Sequence, residues 1–178
     1  MKRPVGQNKG IALGCVIYEA LILSIAIQMR QSRRSRPKVA GLNWSEAQIA
    51  IDVILLKSRV LADFLTSRGN NPDDIRASDF GYTMSSSLEP MPKAFRDAIN
   101  KRSAHLSWAR VAESLPDFEK VGAGIDVYAQ RVMTEIHSFV KSMIAAGITP
   151  SLDRHKAYLN ALETVYTQIK GQSTIHSA

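Results

Sequence analysis

A chain of 178 residues, 45% hydrophobic and 22% charged, is long enough to bury one core and too short to expect two domains. A single cysteine, Cys15, excludes an intrachain disulfide framework and fits a reducing, cytoplasmic setting; in its apolar surroundings it is expected in the core rather than as a nucleophile. The net charge of +7 is local: residues 1–40 hold eight basic side chains against Glu19 alone, and the remainder carries fifteen of each sign, which excludes a chain-wide basic surface for nucleic acid.

Residues 1–9 read as a flexible basic N-terminus, and residues 10–170 as the folded domain. The run Ile11 to Met29 is nineteen residues long with Glu19 as its only charge. That length approaches a membrane span, and the basic start with Ser24 and Ala26 downstream also admits a signal peptide. A carboxylate at the centre of the run opposes both, so a buried helix of a water-soluble bundle is the expectation.

The segment RQSRRSRPK, from Arg30 to Lys38, is expected to end that helix as an exposed basic loop, with Pro37 restricting the residue before it. Arg30, Arg33, Arg34, Arg36 and Lys38 are the candidate nucleic-acid contacts. No aromatic residue is interleaved to stack on bases, so this signal is charge alone, and a solvated loop is the expected reading.

Ser45 followed by Gln48 forms a capping box that predicts a second helix, with a core stripe at Ile49, Val53, Leu56, Val60 and Phe64 and a stop at Gly69. Asp52, Arg59 and Asp63 fall on another strip, where the arginine between two carboxylates makes a surface ion-pair row the expectation over acid–base catalysis or a metal site. Residues 70–92 read as an irregular connection; Asp73, Asp74 and Asp79 lack the glycine and terminal glutamate of a calcium loop and are expected to form turns and caps.

A third helix is expected from Lys93 to Trp108 with Phe95, Ile99 and Leu106 inward. A fourth should run from Asp117 to Ala146, where Phe118, Val121, Ile125, Tyr128, Val132, Ile136, Phe139 and Met143 lay one continuous stripe. After Gly147, Pro150 and Ser151 open a fifth helix through Lys170, and residues 171–178 read as a disordered tail. The fold class is therefore all-α, a single-domain bundle of about five helices.

Motifs for chemistry are sparse. No Walker loop or nucleophile elbow is present, and Val127 occupies the third glycine position of a dinucleotide pattern begun by Gly122 and Gly124. His105, His137, His155 and His176 have no metal-ligand spacing, so neither a metal nor a cofactor is expected.

The segment Phe95 to Val111, FRDAINKRSAHLSWARV, resembles the signature helix of the HEPN superfamily, in which an arginine, a polar residue and a histidine recur as RNxxxH. Tyr18, Glu19, Ala20, the run Leu61 to Phe64, and Asp73, Asp74, Asp79 and Phe80 extend the similarity to uncharacterised bacterial HEPN-like proteins over about residues 15–145. The resemblance implies a helical bundle that pairs as a homodimer, with an RNA or protein partner in stress or phage defence. In active members it implies metal-independent RNA cleavage, in which the histidine handles the ribose 2′-hydroxyl proton and the arginine steadies the phosphate.

His105 fills the histidine position, but the arginine position holds Asn100, followed by Lys101. On a continuous helix Arg96 points away from His105 at about 100° per residue, whereas Lys101 and Arg102 lie on its side. The site candidates are thus His105, Lys101, Arg102 and Asn100. The expectation is a non-catalytic interaction module in which Asn100 and His105 pack at a helix end; the alternative is a toxin-like endoribonuclease using His105.

Overall fold

The computed structural model describes residues 7–34, 42–66, 74–84, 88–89, 91–102 and 118–175. They form five α-helices, α1 (Gln7–Arg34), α2 (Leu42–Thr66), α3 (Lys93–Arg102), α4 (Phe118–Ala145) and α5 (Asp153–Ile175), with a 3₁₀ turn at Ala77–Phe80 and no strand among the described residues. The fold is the expected all-α bundle around a single core.

Helix α4 buries one continuous apolar stripe. Ile125, Tyr128, Val132, Ile136, Phe139 and Met143 are all buried, as the three-four rhythm requires. Phe139 sits at the centre of an aromatic cluster, edge-on to Phe64 of α2, Phe80 and Tyr82 at 5.0, 5.3 and 5.2 Å. The helix stops at Gly147, whose φ of 78° requires a residue without a β-carbon. Ile148 N–H then donates to Met143 O at 2.9 Å and Gly147 N–H to Ile144 O at 3.0 Å, the two bonds of a Schellman end.

Helix α1 packs in the middle of the bundle. It runs antiparallel to α2, with Lys57 beside Glu19, and antiparallel to α4, with Ser24 against Met133 and Arg30 against Asp126. It runs parallel to α5, where Gly10 meets Ser151, Gly14 meets His155 and Tyr18 meets Tyr158. Close approach there needs Gly10 and Gly14, because a β-carbon at either position would overlap the facing side chain. The stretch Lys9–Ser32 is long and apolar enough to cross a membrane, and 61% of its apolar window is buried inside the bundle.

Several boundaries differ from those expected. Helix α1 begins at Gln7, inside the stretch read as a flexible N-terminus, and Lys9 places its ammonium 5.9 Å from the Phe80 ring. It also continues through Arg34, so Arg30 to Arg34 are helical rather than loop; Ser32 supports this by donating to Gln28 O at 2.9 Å. Helix α2 begins at Leu42, which puts Ser45 and Gln48 within the helix instead of at its cap. Helix α5 starts at Asp153 and passes Gly171 to reach Ile175, anchored by buried Leu162, Tyr166 and Ile169, so only residues 176–178 of the expected tail lie outside the described residues.

The core stripe of α2 is a larger correction. Ile49 is 58% exposed, Leu56 41% and Val60 43%, and only Phe64 of the expected five is buried. The inward face is instead Ala50, Ile51, Ile54, Leu55, Leu61, Ala62 and Leu65. Both sets obey helical spacing, and the choice falls to the richer one because it closes over α1 and α4 together.

Candidate interaction surface

The residues expected to carry RNA chemistry are only partly within the structure. Asn100, Lys101 and Arg102 are the last three residues of α3, their side chains outside the described set, and His105 lies outside the described residues. Of α3, Phe95 and Ile99 are buried as expected and Arg96 is exposed; Leu106 lies outside the described residues. Phe95 packs toward Tyr128 of α4 at 6.4 Å.

The basic candidates divide. Arg30 is not a free loop cation: its Nε lies 2.8 and 3.0 Å from the two carboxylate oxygens of Asp126, and both side chains are largely buried, at 14% and 16% exposure. It ties α1 to α4 and is unavailable to phosphate as placed. Arg33 and Arg34 are helical positions at the end of α1 with side chains outside the described set, and Arg36 and Lys38 lie outside the described residues.

Other polar groups are structural. Arg59 and Asp63 form the surface pair expected on α2, at 3.7 Å. Asp79 accepts a hydrogen bond from Arg76 N–H at 2.9 Å and so stabilises the 3₁₀ turn, as turn chemistry predicts. His137 stacks on Tyr166 at 4.0 Å and meets Glu163 at 3.0 Å across the α4–α5 contact. Buried Glu135 accepts a hydrogen bond from the Tyr82 hydroxyl at 2.8 Å. No group of three or more potential metal ligands occurs among the described residues.

Most of the exposed large apolar side chains among the described residues lie on the outer face of α1 and α2. On α1, Ile11 (42%), Tyr18 (42%), Ile25 (38%) and Met29 (41%) are exposed, Cys15 lies between them in solvent, and Ile22 is half-buried on the same line. Cys15 is therefore surface, against the expectation that it lies in the core. On α2 the outer line is Ile49, half-buried Val53, Leu56 and Val60.

Both lines face the same way. Lys57 and Glu19 are joined at 2.6 Å along the seam between the two helices. In each helix the apolar line lies about 80° round from that charged residue, on the side away from α4. An open cavity of about 430 Å³ indents one end of the seam, lined by Cys15, Val60, Phe64 and Ile75 with Glu19 and Arg76 at its polar edge.

Sequence reasoning missed this surface for an identifiable reason. The lines Ile11, Cys15, Tyr18, Ile22, Ile25, Met29 and Ile49, Val53, Leu56, Val60 repeat at alternating steps of four and three. That repeat was legible, but a helix apolar on nearly every side does not declare which line faces inward.

The fold and the site thus define a helical bundle with an open two-helix apolar face. The chain matches no protein-family model, no curated protein and no solved structure.

Proposed function

We propose that this protein is a HEPN-like, non-catalytic helical interaction module that docks a protein partner through α1 and α2. Its setting is an RNA-linked stress or phage-defence response, as the resemblance around Phe95 to Val111 implies. The observation that carries the docking role is the exposed apolar face. A monomeric soluble protein rarely leaves a continuous apolar patch beyond a few hundred Å² uncovered, and such a patch marks an interface. The non-catalytic reading rests on Asn100, which stands where the motif needs an arginine against the developing phosphate charge.

Site-specific photocrosslinking in living cells tests the docking role. A photoreactive benzoylphenylalanine at position 25 or 56 is expected to yield a discrete protein adduct, and one at exposed Asn160 on α5 none. The enzyme alternative is tested with single-stranded RNA in chelator. No cleavage attributable to His105 is expected, whereas cleavage that vanishes in His105→Ala, together with no adduct at 25 or 56, overturns the proposal.

A further inference from the structure

We infer that the cavity at one end of the α1/α2 seam receives an arginine side chain of the docked protein partner, a reading that rests on the docking role proposed above.

The cavity, about 430 Å³, lies between α1 and α2 and is bordered by residues 74–76. Its floor is carbon: Val16 and Phe64 are each 7% exposed and Leu61 1%. A space at the small end of the ~300–1,000 Å³ range of ligand pockets takes one long side chain and not a helix. Side chains that fill such pockets anchor protein interfaces, and arginine is enriched among them where lysine is depleted.

The charge of the lining selects the head group. Glu19, Asp63 and Asp74 border the cavity against a single cation, Arg76, so a chain of net charge +7 carries a locally negative recess here. Lys57 reaches Glu19 at 2.6 Å and Arg59 reaches Asp63 at 3.7 Å, yet neither base lines the cavity. Those contacts leave capacity, because an ionised carboxylate has about four lone-pair positions. The contact of Arg59 with Asp63 is moreover long and joins side chains 38% and 50% exposed, the kind of pair that contributes little and gives way to a better-placed cation.

Other side chains fit worse. An acidic one would meet three carboxylates. An apolar one would strip water from Glu19 and Asp63 and return no hydrogen bond. A guanidinium presents five N–H donors in one plane, enough to meet carboxylates on α1, on α2 and at Asp74 together, with its alkyl stem against Val16 and Phe64.

Cys15 lines the cavity and is the only thiol of the chain, so maleimide labelling of the purified full chain reports occupancy. Millimolar N-acetyl-arginine amide should slow that labelling several-fold and saturably. N-acetyl-citrulline amide, its uncharged counterpart of nearly the same shape, should leave the rate unchanged. Asp63→Asn combined with Asp74→Asn should abolish the protection at unchanged helical circular dichroism. In cells the same two substitutions should reduce the photoadduct from position 56 by at least about tenfold, as removal of one side of a desolvated charge pair does.

Equal protection by the citrulline compound overturns the arginine anchor and leaves the docking role standing. So does protection by neither compound, with adducts at positions 25 and 56 that persist in the double variant. Protection by the arginine compound, with adducts indifferent to the double variant, overturns the partner as the source in favour of a free guanidinium or amine. Absence of adducts from the wild type removes the docking role, and the anchor with it.

Discussion

The imidazole of His155 lies on the bare backbone of Gly14, so closely that a β-carbon at position 14 would fall within the ring. His155 is only 4% exposed, and this contact sets how near α5 comes to α1. One turn earlier Gly10 repeats the arrangement, where an added β-carbon would stand 2.7 Å from Thr149 O as well as overlapping Ser151 Oγ.

Gly14→Ala is therefore expected to destabilise the bundle by about 1–2 kcal/mol, the overpacking strain exceeding the ~1 kcal/mol that alanine contributes to an ordinary helix position. In a His155→Ala background the strain disappears and the same substitution should become neutral or stabilising. Urea midpoints of the four proteins of this double-mutant cycle measure it, and a Gly14→Ala effect of the same sign and size in both backgrounds refutes the contact.

Arg30 and Asp126 should behave as a buried pair instead of as a nucleic-acid contact. Arg30→Ala or Asp126→Ala each breaks this largely buried ion pair, and a loss of about 2–4 kcal/mol is expected. Arg30→Met combined with Asp126→Leu should recover most of that loss. Thermal unfolding of the three variants decides; a harmless Arg30→Ala that weakens RNA binding returns the residue to the solvent-facing role first expected of it.

Tyr82→Phe removes the hydroxyl that donates to Glu135, whose side chain is 1% exposed in the middle of α4. A hydrogen bond to a buried carboxylate contributes about 1.5–3 kcal/mol, while the ring's edge contact with Phe139 is retained. Chemical denaturation should show that loss with little change in helix content. An unchanged midpoint means that Glu135 draws nothing from Tyr82.

Much of the fold was legible along the chain because α4 and α1 declare themselves by different signals. In α4 one apolar stripe is set off by polar residues, so its inward face from Ile125 to Met143 follows from spacing. In α1 length and apolarity predicted burial, but not which side is left open. The candidate RNA site was visible only as residue types around His105, which lies outside the described residues. The reach of α1 past Arg30 was hidden because serines and arginines read as a loop until Asp126, 96 positions away, neutralises the first of them.

By itself the sequence determined that helices form and that their apolar sides must leave water, because periodicity and turn chemistry act over a few residues. Only the tertiary structure decided which sides those are. Helix α1 has apolar residues on nearly every side and α2 has two lines of equal spacing, and burial goes to the side that meets several neighbours at once. The side left over became the open face of Ile11, Tyr18, Ile25, Met29, Ile49, Leu56 and Val60. Contacts between residues far apart in the chain made that choice, and no local pattern contains them.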